Sequence, residues 1–540
     1  MHQSLGLLWI SVLVARLGEG KGLAADYEAC QNACTTLSSL LPTESGTRYA
    51  ADFSQGPIYV GRKEEAEPLF WAQQQQSFRP ACVVHVRTTE DVAVVIGTSR
   101  STGCPLAVRG GGHSDVPGAS NSNGGITVNM AGLDDVQVDE GAGVARVGAG
   151  ARWGEVYREL EKSNRTVVGG RLTGVGVGGL LLGGGLSHLS GLHGWACDNV
   201  RNYEVVLANG SVVDVSHSTH PDLYRALRGG GNSFGVVTRF DLDMFAQGPV
   251  WGGLHVWPLL PTVTPAITGA FVRFALDAPS DPHVSLFAGL GFMQGNFAWA
   301  VGQYDSLGRE EPPIFAGFRD DVETYGAPKI VSTARVTSLS DLADELNQSE
   351  PAGMRSRFTT ATFKVDQELL QLMAGYFVEQ VEKALQDGLR DDERFAPMLG
   401  IQPLTRNILK EQATRGGNVM GLDEEDGPLV GKYMPPPWTK RYIYLQLSRV
   451  KVCSFGWEWS RESDDEVVVA GIKAVLEHSV AAAKERGLYH PFKYMNYAAE
   501  DQDPIASYGA DNVEFLKSVR GAYDAEGLFT ELVPGWFKVR

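Results

Sequence analysis

The stretch Arg109-Gly110-Gly111-Gly112-His113-Ser114 follows the apolar run Pro105-Leu106-Ala107-Val108, so a short strand delivers the chain into three glycines and a histidine. Glycine accepts φ > 0 and lets backbone approach a ligand closely, and the N–H groups of such a turn can converge on an anion. Taken alone, the hexapeptide reads most simply as a strand-to-loop turn whose histidine is a satisfied polar residue. Its surroundings change that reading.

Downstream, residues 169–185 are the most glycine-dense part of a chain with 64 glycines in 540 residues. A G-x-G-x-x-G occurs at Gly174, Gly176 and Gly179, with Asp198 about 20 positions on, the layout of a Rossmann nucleotide site. A Rossmann turn opens a helix against its sheet. This one runs into Gly183-Gly184-Gly185, and each glycine inside a helix costs about 1 kcal/mol relative to alanine. Extended backbone laid against a flat ligand is the expectation here, and a nicotinamide-dependent dehydrogenase is disfavoured.

Around the two loops, residues 81–86, 126–130 and 145–148 read as short strands, and helices begin near Thr89 and Trp153. A hairpin turns at Asn209-Gly210, a capped helix runs from His220 to Leu227, and residues 235–238 close the unit with a strand. After Asp243 the chain is richer in aromatics, with amphipathic helices over 368–385 and 464–486. The latter is expected to start in a Ser463/Glu466 capping box and stop at Gly487. An alternating strand over 442–447 completes a sheet backed by helices. The expected organisation is a signal peptide at 1–25, an N-terminal arm at 26–77, a first α+β unit at 78–248, a second unit at 249–489 and a C-terminal segment at 490–540.

Lys+Arg 47 against Asp+Glu 64 gives a formal charge of −17, which disfavours nucleic acid and anionic lipid and accommodates a neutral or cationic small molecule. The apolar run over residues 5–15, about 11 long, is too short for a bilayer span of about 20 and suits a signal peptide, though no Lys or Arg precedes it. A secreted or secretory-pathway lumenal protein with no membrane span is expected. Six cysteines, Cys30, Cys34, Cys82, Cys104, Cys197 and Cys453, contain no C-x-x-C pair, which argues against zinc. Either Cys30 or Cys34 bridging to Cys82 would tie the arm to the first unit. Asn164, Asn209 and Asn347 head glycosylation sequons.

Together these residues resemble the FAD-linked oxidases with the PCMH-type flavin-binding fold of vanillyl-alcohol oxidase, and within them the berberine-bridge-enzyme-like group. The pieces that carry the resemblance are residues 108–114, 176–185, Gly194-Trp195-Ala196-Cys197-Asp198-Asn199-Val200, residues 221–235, Tyr494-Met495-Asn496-Tyr497, Tyr508-Gly509 and residues 523–529. The match is dense over 80–243, fair over 490–530 and faint between. It implies an α+β fold, with a PCMH-type FAD-binding domain of two α+β subdomains, a substrate domain whose antiparallel sheet is backed by helices, and a berberine-like C-terminal segment that completes the flavin domain.

The resemblance also implies that His113 is bonded through a ring nitrogen to the flavin 8α-methyl carbon, which suits an imidazole that is neutral above a pKa of about 6.5. It sets FAD against Arg109, Gly110, Gly111, Gly112, Ser114, Gly176, Gly178, Gly179, Gly183, Gly184, Asp198, Asn199, Val200 and Asn496. Many relatives carry a second link from a Cys-Pro-Thr-Val-Gly pattern. Here Leu172 and Thr173 stand at the first two positions, so a single link is expected. Cys197 reads as a small buried residue, and Leu182 and His193 are expected on the flavin's other side.

Tyr497 resembles the family's active-site tyrosine, with Tyr494 lining the pocket and Gln446 orienting base or substrate. Gln446 reads equally as part of an alternating strand with one face on the core. A tyrosine near pKa 10 serves as a base only where donors or positive charge stabilise its anion. The implied activity is hydride transfer from a small alcohol, amine or phenolic natural-product intermediate to covalently bound FAD, with O2 as final acceptor giving H2O2 and oxidative cyclisation as an extension. The alternatives are a carbohydrate oxidase, which the missing cysteine disfavours, and a non-redox cyclase or binding protein that keeps the fold.

Overall fold

Four parallel strands form the first sheet of the computed structural model, in the spatial order Ile58–Val60, Cys82–His85, Ile126–Asn129, Leu106–Arg109. The Val83-Val84 and Ile126-Thr127-Val128 runs are β-branched and buried, as strands covered on both faces must be. The structure describes residues 27–41, 58–60, 70–324, 328–426 and 450–540. The expected signal peptide, Gln446 and the strand expected over 442–447 lie outside the described residues. Among the described residues no helix is long and apolar enough to cross a membrane.

Beside this sheet lies a five-stranded antiparallel one in the order Val136–Asp139, Val144–Gly148, Val236–Asp243, Val200–Val206, Val212–Ser216. The helix Thr89–Thr102 starts in a capping box between Thr88 and Asp91 and ends at Gly103, whose φ of 73° closes it. Both sheets share one apolar core, and Phe492, Met495, Tyr508 and Val539 of the C-terminal segment pack into it.

A nine-stranded antiparallel sheet makes the second unit, with Val450–Trp459 between Ala396–Pro403 and Arg355–Lys364. The helices Val263–Asp277, Gln367–Gln386 and Asp465–Glu485 bury Phe271, Phe377 and Ile472 against Trp257, Trp299 and Trp457. Phe287 and Phe358 stand apart from that core and pack toward the first unit. The units interleave: Leu404, Ile408, Leu409, Met420 and Leu422, inside the second sequence range, pack into the first core.

Several expectations are corrected. Residues 177–182 are not extended. Val177–Leu182 is a short helix, because Val177, Leu181 and Leu182 all find apolar burial, which outweighs the penalty of Gly178 and Gly179. Ser463 does not cap the long helix: a 3-10 turn, Glu462–Asp464, leads into Asp465 instead. The helix Pro221–Leu227 has no side-chain cap, and its proline supplies the preset first turn.

The N-terminal arm is an integral part of the fold. Its helix Tyr27–Leu40 is held by two disulfides, Cys34 to Cys82 as one of the open pairings allowed, and Cys30 to Cys104 in addition. The four glutamines Gln73–Gln76 form a helical turn wedged between the units. Gln75 is fully buried and donates to Val116 O, while Gln74 exchanges hydrogen bonds of 2.7 and 3.1 Å with the Ser356 backbone.

Candidate active site

The two glycine loops cross backbone to backbone. A Cβ on Gly111 would lie 2.4 Å from Gly176 N, and one on Gly176 would lie 2.2 Å from Gly111 N, so glycine is required on both sides. Gly112 adds a left-handed φ of 71° that turns the chain into His113. Arg109 is buried beneath the loop and donates to Asn129 Oδ1 at 2.6 Å. A Cβ on Gly179 would meet nothing within 4 Å, so the short helix keeps one open side.

The His113 imidazole stacks on the Trp71 indole, centroids 4.6 Å apart and planes 8° apart. Burial, with a smaller contribution from the Arg152 charge, lowers the His113 pKa to about 4. The ring is therefore neutral at physiological pH and keeps a nitrogen lone pair. From Trp71 an aromatic row continues to Phe358 at 5.9 Å and on to Tyr497 at a further 6.3 Å. Phe287 and Phe358 lie against glycines of neighbouring strands: a Cβ on Gly302 would come within 2.4 Å of the first ring and one on Gly456 within 2.6 Å of the second.

Tyr497 Oη accepts a hydrogen bond from Arg171, whose guanidinium also sits 5.6 Å from the centre of the Phe287 ring. Three carboxylates near these residues are shifted upward. Burial pushes Glu350 to about 7 against the opposing charge of Arg171, and burial with the Glu350 charge pushes Glu458 to about 8. Asp115, raised by burial to about 6, accepts from Phe358 N at 2.7 Å and so anchors the strand that carries Phe358.

The remaining expected site residues divide. Tyr494 does not line an open pocket: it is fully buried, its hydroxyl accepts from Gly185 N and Asn496 Nδ2, each at 3.1 Å, and burial raises its pKa. Asn496 also donates to Leu180 O at 3.0 Å and backs Gly183, where a Cβ would come within 2.0 Å of its Oδ1. These two residues thus brace the turn at Gly183 and Gly184. Asp198, Asn199 and Val200 are buried, with Asp198 Oδ1 accepting from Asn418 and the Val200 carbonyl accepting from Tyr224 and Arg228. Ser114 Oγ accepts from Val116 N at 3.2 Å.

His193 stacks on Phe245 at 3.7 Å, beside Arg415, rather than joining the His113 row. Leu172 packs with Val250, Tyr304 and Leu342 in a small apolar cluster of the second unit. Asn347 is half-buried and its Oδ1 accepts from Gly174 N at 2.9 Å, while Asn164 and Asn209 are exposed. Sequence reasoning missed Trp71, Arg171, Glu350 and Glu458. Arg171 alone carried a signal, as a charged residue inside a glycine and apolar stretch.

The residues present fit a flavin dinucleotide. A Cβ on Gly179 would meet open space three residues on from Gly176, where the two loops cross, and bare glycine backbone with its N–H groups suits a phosphate-bearing cofactor.

Comparison with known proteins agrees. Residues 80–216 match the FAD binding domain family. The chain is 74% identical over 539 residues to the FAD-dependent monooxygenase FUP4 of Fusarium proliferatum, covering 100% of both chains. It is 68% identical over 538 residues to the FAD-dependent monooxygenase tpcD of Cochliobolus heterostrophus, covering 99% of this chain and 100% of that one. Its backbone is similar to that of a glucooligosaccharide oxidase from Acremonium strictum with 6-S-cysteinyl, 8α-N1-histidyl FAD. The TM-score is 0.65 at 18% identity, covering 87% of this chain and 93% of that one, a likeness of fold.

Proposed function

Because this chain belongs to the FAD-linked oxidoreductases of the vanillyl-alcohol-oxidase and berberine-bridge-like family, we propose that it oxidises a small phenolic, alcohol or amine natural-product intermediate, with FAD linked singly through His113. The observation that carries this reading is the row His113, Trp71, Phe358, Tyr497 with Arg171 on the last oxygen, which joins a flavin-attachment candidate to a proton-transfer candidate.

Bound FAD supplies a two-electron acceptor for hydride from a substrate C–H. The chain's own residues do the rest. Arg171 pairs a guanidinium with Tyr497 Oη, so negative charge on that oxygen is compensated and the oxygen can take the proton of a substrate O–H or N–H. Phe287 and Phe358, flat against the sheet, offer an apolar wall on which an aromatic substrate can stack. Glu350, beside Arg171, and Glu458, beside Glu350, hold protons near neutral pH. The lowered pKa of His113 supports its role as the attachment nitrogen, and Leu172 in place of cysteine supports a single link.

O2 is the final electron acceptor in this reading, and H2O2 the product. The relatives' description as monooxygenases favours a second reading, in which one oxygen atom enters the substrate. Two disulfides support passage of the chain through an oxidising compartment, as for a secreted or lumenal protein. The test is the absorption spectrum of acid-denatured protein: yellow colour that stays with the precipitate, and leaves it in His113→Ala, is expected. A colourless native protein would end the proposal. Turnover of a phenol, alcohol and amine panel under ¹⁸O2 then separates the readings, through label in H2O2 or label in the organic product.

A further inference from the structure

We propose that Trp71 is a positioning residue for flavin attachment, holding the His113 ring in the attacking orientation only when the two units have docked. This rests on the His113 link proposed above. Trp71 lies in the N-terminal arm, and nothing in its sequence context marks it as functional.

Trp71 is tied from both sides. Its backbone N–H donates to Gly112 O at 2.9 Å, so the residue is anchored to the very loop that carries His113. Its carbonyl accepts from Gly353 N at 2.8 Å and its Nε1 donates to Glu350 O at 3.2 Å, both on the second unit. The neighbouring Gln73 N donates to Met354 O at 2.8 Å, and Ala72 bridges Met354 in parallel. Trp71 is 6% exposed, so the ring has no room to swing.

An imidazole on a glycine loop has two soft torsions, and a bond-forming reaction requires both to be set. The nearly coplanar stack at 4.6 Å fixes the ring plane and covers one face, leaving the ring edge as the reactive direction. Because the tethers of Trp71 come from residues on both units, the plane is set by their docking rather than by the glycine loop. A loop with three glycines cannot supply that rigidity itself. The neutral state of His113 supplies the lone pair the reaction needs.

A C–N bond forms between the imidazole nitrogen and the 8α carbon, one hydrogen leaves the ring N–H and one the methyl group, and the two electrons and two protons pass to O2, giving H2O2.

The experiment compares full-length wild type, Trp71→Phe and Trp71→Leu, with Trp71→Met in reserve should the Leu variant not fold. Each is produced flavin-free, mixed with FAD in air, and sampled over time for acid-stable flavin fluorescence and for the mass of the peptide containing His113. Total bound FAD and the thermal midpoint are read on the same samples. The expected result is that the Leu variant binds FAD but links it on the order of tenfold or more slowly, as loss of orientation predicts, while the Phe variant recovers most of the rate. A linked wild type with an equally fast Leu or Met variant would overturn the positioning role alone. A wild type whose flavin all leaves on acid denaturation would overturn the His113 link and this role with it.

Discussion

Substituting Gly111 by alanine tests whether the crossing of the two glycine loops shapes the cofactor site. The new Cβ would lie 2.4 Å from Gly176 N and 2.6 Å from Gly176 Cα, both backbone atoms that no rotamer change can move. Ordinary contact begins at about 3.5 Å, so the loops must part by about 1 Å. Gly111 has no positive φ, so the penalty is steric rather than conformational. Overpacking of this kind costs about 1–3 kcal/mol, which at about 1.4 kcal/mol per decade weakens FAD binding roughly 5- to 150-fold if the strain falls on the bound state. The assay is fluorescence titration of FAD in a His113→Ala background, where no covalent bond masks the affinity. Gly97→Ala, in a helix with open space around its Cβ position, controls for a bare glycine-to-alanine effect. An affinity within twofold of the background, with an unchanged thermal midpoint, would refute the reasoning.

Further outcomes follow from the same geometry. Arg171→Met removes the donor on Tyr497 Oη, and loss of a charge-assisted hydrogen bond worth about 1.5–3 kcal/mol should slow anaerobic flavin bleaching by an active substrate roughly 10- to 150-fold; an unchanged bleaching rate would remove Arg171 from the mechanism. Glu458 is raised from 4.5 to about 8 in the fold, so its stabilising contribution is full below pH 4.5 and is lost as pH rises through 8. Glu458→Gln should accordingly flatten the fall in melting temperature between pH 6 and pH 9, and parallel curves for the two proteins would count against the burial of that carboxyl. Opening the Cys34–Cys82 bridge, which spans 48 residues, by Cys34→Ser with Cys82→Ala should cost on the order of 4 kcal/mol by loop entropy. Hydrogen exchange in the helix Tyr27–Leu40 should report it as early local opening, and full protection there would contradict the prediction.

Much of the first unit was legible. The strands around residues 82–85, 106–109 and 126–129 follow from apolar, partly β-branched runs between turn residues, and the hairpin at Asn209-Gly210 follows from its turn chemistry. The helix Val177–Leu182 was not, because local glycine content argues against helix while burial of three apolar side chains argues for it, and burial is a tertiary quantity. Tyr494 illustrates the same limit within the site. Its motif placed it beside Tyr497 correctly, 4.8 Å ring to ring, yet only the fold shows its hydroxyl committed to Gly185 and Asn496.

From the sequence by itself came the α+β class, the glycine loop before His113, the relation of residues 80–243 to flavin enzymes, and the absence of a cysteine at Leu172. All of these depend on residue types at short spacing, which local chemistry controls. The tertiary structure alone decided that Trp71 of the arm stacks on His113, that Arg171 reaches Tyr497, and that Glu350 and Glu458 resist ionisation. Those partners are separated by up to several hundred residues, and a ring stack, a guanidinium contact or a desolvated carboxyl exists only once long-range packing has brought its members together and excluded water.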